Sequence, residues 1–386
     1  MIKGIKKTFN AMDKPLFFVT LILFIFGLLN IVTASSSESV TRYDQSLLHY
    51  FWQHLKMLSA GAFLGIIILK YPTKKYPPIA LLSFFAILIL SFYLLINGEA
   101  HKGAINWISI AGIKFQPSEF AKVVIIVCLS ILFEKYYRFL RTKKVNHYEV
   151  IARILIVGIF IPVIVFLQKD FGTMLIMLII FGVLFLASPI LKIEKLKVML
   201  ALIILCFLGS IIMLSVKGYI LSEEQMERFN FINPCSNYEN GGYQVCNGFI
   251  AIHDGGLIGL GIGNSRQKYS YIPEPHTDSV FAIIAEENGF LKSLLILLAY
   301  IFVIKRILDL ASKTDSIKGR YICLGVATYI FSHIIVNLGG LFGILPLTGV
   351  PLPFLSYGGS FNISLIVALS LVQRVNIEFA TKKIKI

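Results

Sequence analysis

Solid blocks of apolar residues, separated by shorter polar segments, run along most of the chain. Ten blocks lie near 15–34, 55–69, 77–96, 117–133, 150–168, 171–187, 198–216, 279–304, 320–340 and 359–373. A membrane-spanning helix needs roughly 20 residues, with a range of about 17–25. Each block therefore predicts one span, and the second and tenth are short. A membrane barrel would show weak alternation in roughly ten-residue segments rather than solid runs, so strands are not expected. The pattern predicts an all-α, polytopic integral membrane protein with about ten transmembrane helices, forming a single membrane domain over 1–386. It breaks once, at residues 217–278. Loops longer than about 12–15 residues are usually functional or disordered, and this one is too rich in Phe, Tyr and Ile for a solvated linker. We expect a large structured external loop between helices seven and eight. Inside it, Gly248 to His253 reads as a short amphipathic helix at the membrane surface. The glycines from Gly255 to Gly263 then imply tight turns or close backbone approach.

Composition agrees with this reading. The 386 residues are 56% hydrophobic and 15% charged, with mean hydropathy +0.78, whereas soluble domains carry about 25% charge. A net charge of +15 raises the question of nucleic acid, but no nucleic-acid motif is present. The basic residues instead alternate with the spans. One side holds Lys3, Lys6, Lys7 and Lys14; Lys70, Lys74 and Lys75; Lys135, Arg138, Arg141, Lys143 and Lys144; Lys192, Lys195 and Lys197; Lys305, Arg306, Lys313, Lys318 and Arg320; and Arg374, Lys382, Lys383 and Lys385. The opposite loops hold far fewer. The positive-inside rule makes the rich side cytoplasmic, with both termini on it. Ala34-Ser35-Ser36-Ser37 is a weak cleavage site, so the first block reads as span one rather than a signal peptide.

Cys128, Cys206 and Cys323 fall inside spans, where cysteine acts as a small hydrophobe. Cys235 and Cys246 share the external loop. In an oxidising compartment they are expected to form a disulfide; the alternative is two unrelated thiols. No zinc-type clustering accompanies them.

Four polar clusters map to the external side. Pro273-Glu274-Pro275-His276-Thr277-Asp278 precedes span eight; two carboxylates and an imidazole there suit acid–base work or metal binding, unless Asp278 only caps the next helix. Gly103 to Trp107, then Gln116-Pro117-Ser118-Glu119 to Lys122, opens span four. Glu119 and Lys122 lie three apart on one helix face, and charges in a span face a cavity or a partner. The alternative is a structural ion pair. Gln168-Lys169-Asp170-Phe171-Gly172-Thr173 forms a tight turn. Pro351-Leu352-Pro353 through Ser356-Tyr357-Gly358-Gly359-Ser360 breaks the helix entering span ten, and broken backbone is tolerated where it lines a cavity. Turn chemistry alone would account for either of these last two. Glu286 and Glu287 sit inside span eight, where at least one is expected to face the interior.

In order and spacing these clusters resemble the SEDS family of shape, elongation, division and sporulation proteins, along nearly the whole chain. The motifs are Trp107, Gln116-Pro117-Ser118-Glu119 to Lys122, Asp170-x-Gly172-Thr173, Gly242-Tyr243-Gln244, Pro273-Glu274-x-His276-Thr277-Asp278, and Pro351-Leu352-Pro353 through Ser360. The resemblance implies a peptidoglycan glycosyltransferase that polymerises lipid II at the outer face of the cytoplasmic membrane. It implies a class B penicillin-binding protein as partner, other divisome membrane proteins nearby, and support by a divalent cation, Mg2+. It makes Asp278 the catalytic base and a metal ligand, and gives substrate contacts to Trp107, Gln116, Ser118, Glu119, Lys122, Asp170, Glu274, His276, Thr277, Ser356, Tyr357 and Ser360. Two positions depart from the family pattern: Asn106 stands where Arg often precedes the tryptophan, and Lys169 stands where the turn usually has Pro. Any phosphate role of that Arg then falls to another cation, such as Lys102 or Lys122. Gly263-Asn264-Ser265-x-Gln267-Lys268 resembles the division branch, which would put the protein at the septum; Thr348-Gly349-Val350-Pro351 is closer to the elongation branch. A flippase for the same lipid and a non-catalytic scaffold are the competing classes. A flippase would concentrate its polar residues at mid-membrane, and a scaffold needs no acid at Asp278.

Overall fold

The structure is a computed structural model. It describes residues 8–41, 46–101, 104–110, 113–141, 148–217, 233–236, 238, 242–269 and 271–383. Each apolar block is a helix. In chain order these are α1 (Lys14–Thr41), α2 (His49–Lys70), α3 (Tyr76–Asn97), α4 (Pro117–Lys135), α5 (Tyr148–Leu167), α6 (Phe171–Ala187) and α7 (Lys192–Lys217). After α8 (Tyr243–Gly255), which lies in the long loop, come α9 (Val280–Lys313), α10 (Ile317–Leu341) and α11 (Gly359–Lys383). The helices of α1, α2, α3, α5, α10 and α11 are long and apolar enough to cross a membrane, and α6 is apolar but shorter. Helix α4 carries Glu119, Lys122, Glu134 and Lys135, a load that a helix facing lipid could not bear. It is accordingly central, packed among α3, α5, α6, α10 and α11. In α10, 78% of the most apolar window is buried, against 17% in α2; α10 belongs to the core and α2 to the bilayer-facing rim. The start of α1 and the ends of α9 and α11 meet at one end of the bundle. There Asp13 pairs with Arg306 (2.8 Å) and its N–H donates to Gln373 Oε1 (2.8 Å).

The expectation of no strands is corrected. Between α3 and α4 runs a three-stranded antiparallel meander, β1 (Glu99–His101), β2 (Ala104–Ile110) and β3 (Ile113–Phe115). Ala100 pairs with Ile105 and Ser109 with Lys114. Two of the strands are three residues long, too short for alternation to register in a sequence. Ile105 N–H also donates to Gln168 O (2.9 Å), tying the meander to the end of α5.

In the long loop, the predicted segment Gly248 to His253 is part of the longer helix α8. It buries Val245, Cys246, Gly248, Ala251 and Gly255 and packs on α9. The Cys235–Cys246 disulfide is formed. The glycine run after α8 fills a break in α9. At Gly289 the backbone leaves helical geometry (φ 74°, ψ 179°). The opened hydrogen-bonding groups pair with the run: Leu260 and Gly261 donate to the carbonyls of Glu286 and Glu287, and Phe290 and Leu291 donate to those of Gly256 and Leu257. The approach requires glycine on both sides, because a Cβ at Gly259 would lie 2.3 Å from Glu287 O and one at Gly289 2.4 Å from Gly259 N. Glu286 and Glu287 are both buried. The Glu286 carboxylate accepts from Ser265 Oγ (2.5 Å) and Arg266 N (2.8 Å), and Glu287 pairs with Lys268 (3.3 Å).

Candidate active site

At the end of the bundle opposite the termini, the segments that follow α3, α5, α8 and α10 enclose a cavity of 490 Å3. Its wall is built from all four polar clusters. Of the residues expected from sequence, Trp107, Gln116, Glu119, Asp170, Glu274, Thr277, Asp278 and Tyr357 line it. So do Asn106, Lys169, Thr173 and Gln244.

Asp278 is 7% exposed. Its Oδ1 accepts from Thr277 Oγ1 (3.1 Å) and, at 3.4 Å, from Gln244 Nε2. Gln244 also donates to Ser279 Oγ (2.8 Å). Ser279 is the N-cap of α9 and makes no side-chain cap bond, so Asp278 precedes the cap and is not the cap itself. The backbone around it is fixed from behind. Asn337 Nδ2 donates to the carbonyls of Asp278 (2.7 Å) and Val350 (2.8 Å), Ser356 Oγ donates to Thr277 O (2.5 Å), and Tyr357 N–H donates to His276 O (2.8 Å).

Asp170 lines the same cavity as Asp278 and is the N-cap of α6. Its Oδ1 accepts from Thr173 N (3.1 Å), and its Oδ2 from Asn106 Nδ2 (2.7 Å) and Gln116 Nε2 (3.1 Å). Three donors on one carboxylate hold it rigidly in place. The turn before it ends α5 with two backbone bonds, Lys169 N to Phe166 O (2.9 Å) and Asp170 N to Val165 O (3.2 Å), around a left-handed Lys169 at φ 62°. This is the Schellman pattern of a helix C-terminus. Proline, with φ near −65° and no N–H, cannot occupy that position.

Glu119 lines the cavity, and Lys122 lies behind it. Lys122 Nζ is 2.9 Å from both Glu119 oxygens and 2.9 Å from His333 Nε2, and it is fully buried. His333 Nδ1 lies 3.1 Å from Pro351 O. A carbonyl can only accept, so Nδ1 carries the proton and Nε2 accepts from the ammonium. Lys122 thus joins α4, α10 and the Pro351 segment, and is not turned toward the cavity. Lys102 lies outside the described residues.

The remaining expected residues support the wall without lining it. Ser360 Oγ accepts from Gln116 N (2.9 Å), Ser356 Oγ accepts from Leu352 N (2.7 Å), and Ser118 is buried in α4. His276 packs on the rings of Tyr50 (4.3 Å) and Tyr357 (5.3 Å), 3.3 Å from Glu38. Burial pushes the Tyr357 hydroxyl up to about 12; it stays neutral and donates to Gln53 Oε1 (2.6 Å). Sequence reasoning missed Asn106, Lys169, Gln244, His333 and Asn337 as site residues. The last two carried a readable signal, since polar residues four apart inside an apolar span face the interior.

With this geometry in hand, the likeness to known proteins has a physical anchor. The sequence pattern of the FtsW, RodA and SpoVE family, described as "Cell cycle protein", matches residues 14–381. The chain is 32% identical over 381 residues to the "Probable peptidoglycan glycosyltransferase FtsW" of Bacillus subtilis (strain 168), covering 96% of this chain and 92% of the relative. It is 33% identical over 377 residues to the protein of the same name from Enterococcus hirae, covering 95% and 92%. A chain of a solved peptidoglycan synthase complex, in work on the coordination of polymerization and crosslinking, superposes with TM-score 0.72 at 22% identity, covering 96% of this chain and 98% of its own. The chain belongs to the FtsW, RodA and SpoVE family of cell cycle proteins.

Proposed function

We propose that the chain is a peptidoglycan glycosyltransferase that polymerises lipid II at the outer face of the cytoplasmic membrane, in septal wall synthesis during cell division. The observation that carries this reading is the position of Asp278, in a polar cavity at the bundle end away from the basic clusters and the termini. By the positive-inside rule those clusters are cytoplasmic, so the cavity opens outward. The acceptor's 4-hydroxyl attacks the anomeric carbon of the donor sugar as the bond to pyrophosphate breaks, and Asp278 takes the hydroxyl proton. The hydrogen bonds from Thr277 and Gln244 orient the carboxylate, and Asn337 and Ser356 fix the backbone beneath it.

Among the described residues, no three His, Cys, Asp or Glu side chains converge as a metal cage. Mg2+ fits the donors in another way: one carboxylate, Asp278, plus pyrophosphate oxygens and water, the usual Mg2+ arrangement with phosphates. Bound there, it would neutralise charge on the leaving pyrophosphate. The partner in this reading is a class B penicillin-binding protein that crosslinks the strands made here, among other divisome membrane proteins.

The test is Asp278→Asn in purified protein given lipid II with its transpeptidase. Asn keeps the size and removes the base, so the variant should insert and bind its partner normally while glycan synthesis falls by about 10²–10⁴-fold. Polymerisation at the wild-type rate would remove Asp278 from the chemistry. Wild-type protein that moves lipid II across vesicles without ever polymerising it would point to a flippase.

A further inference from the structure

The cavity carries an imbalance of charge. Glu119, Asp170, Glu274 and Asp278 line it, and among the described residues Lys169 is the only Lys, Arg or His that does. Lys122, the nearest alternative, is buried against Glu119 and His333. Lys169 is exposed, and its ammonium makes no hydrogen bond or ion pair with a described residue. Its backbone is left-handed, a conformation that glycine adopts freely and a long side chain adopts only with strain. A strained position that nonetheless bears a cation, beside Asp170 and on the cavity wall, is a position whose side chain has a task.

We propose that the Lys169 ammonium binds the pyrophosphate of the lipid-linked substrate and stabilises it as it leaves. This deepens the polymerase reading and rests on it for the reaction step. An anion entering a cavity lined by four carboxylates is repelled unless a cation meets it, and a lysine ammonium offers three donors and a full charge on a reaching stem. As the anomeric C–O bond breaks, its electron pair passes to the pyrophosphate oxygen; the proton leaves the attacking hydroxyl to Asp278, and Lys169 faces the charge that develops on the departing group. The Asn106 amide cannot do this, since it is neutral and already donates to Asp170.

The test uses three variants of the full chain, assayed with the transpeptidase partner over a range of lipid II concentrations. Binding of undecaprenyl pyrophosphate is measured separately. Lys169→Met should lower kcat/KM by about 10–100-fold, the loss of one charged hydrogen-bonding partner, and weaken undecaprenyl pyrophosphate binding by a similar factor. Lys169→Arg, which keeps the charge, should stay within about 3-fold of wild type on the same scale. Lys169→Gly suits the left-handed backbone, so it folds at least as well as wild type; it should nevertheless fail as Met does. Wild-type kcat/KM in the Gly or Met variant would overturn the proposal. Should wild-type protein not polymerise at all, the polymerase reading falls alone, and the binding arm still decides: undecaprenyl pyrophosphate held equally by wild type and Lys169→Met overturns the role of Lys169, and selective loss in Met supports it.

Discussion

Two buried charged clusters, one around Glu119 and one at Glu286 and Glu287, sit within apolar helices, and they do different things. Glu119 shares its charge with Lys122, reaches His333 through it, and keeps one face on the cavity. Glu286 and Glu287 are as deeply buried but do not line the cavity. Glu286 accepts from a hydroxyl and a backbone N–H of the loop at 265–266, and Glu287 anchors Lys268. In the first cluster the partners are side chains around a space; in the second they fasten a loop to a helix. A charge in a span therefore marks the protein interior and not, by itself, chemistry. Its partners decide which it serves.

The largest effect should come from splitting the first cluster. Lys122→Ala leaves Glu119 buried without its counter-ion, which costs about 3–5 kcal/mol. The unfolding midpoint in detergent should drop steeply, with polymerisation also reduced. A Glu119→Gln/Lys122→Met double variant removes both charges and should recover much of the midpoint. If the single variant melts like wild type, the two carboxylate clusters are equally structural and the contrast dissolves.

Glu286→Gln should be milder and of a different kind. One charged acceptor becomes a neutral one that still bonds Ser265 or Arg266, for a loss of about 2 kcal/mol. The turnover of the protein that remains folded should equal wild type. A drop in turnover per folded molecule would give Glu286 a part in catalysis.

Ser265→Ala removes one hydroxyl bond to Glu286 and should cost about 1 kcal/mol. A pulse of protease directed at the loop around 265–266 would read this as slightly faster loop opening, with unchanged glycan synthesis. No change in loop protection would mean that the Arg266 N–H bond to Glu286 and the backbone bonds of the glycine run hold the loop without the Ser265 hydroxyl.

The helices of the apolar blocks were legible because a long apolar run writes its own length into the sequence. The four site clusters were legible because each broke an apolar pattern with charge, proline or glycine. Their convergence was not, since nothing local states that Asn106 meets Asp170, or that Asn337 of α10 holds the backbone of Asp278. The meander between α3 and α4 escaped because two of its three strands are only three residues long, too short to carry a period. Lys122 looked like a cation for the substrate because its face was known and its neighbour His333 was not. Lys169 looked like a departure from pattern; its left-handed backbone, visible only in three dimensions, is what rules proline out.

The break in α9 bears on how the chain is assembled. Backbone left open in hydrocarbon costs several kcal/mol per group, so α9 cannot rest in the bilayer with the gap at Gly289 unfilled. The glycines that fill it leave the ribosome before α9 does, and the loop they close is short in sequence, which makes closure fast and entropically cheap. The glycine run and α9 therefore make one unit joined backbone to backbone, so the break in the helix and the loop that fills it can form only together.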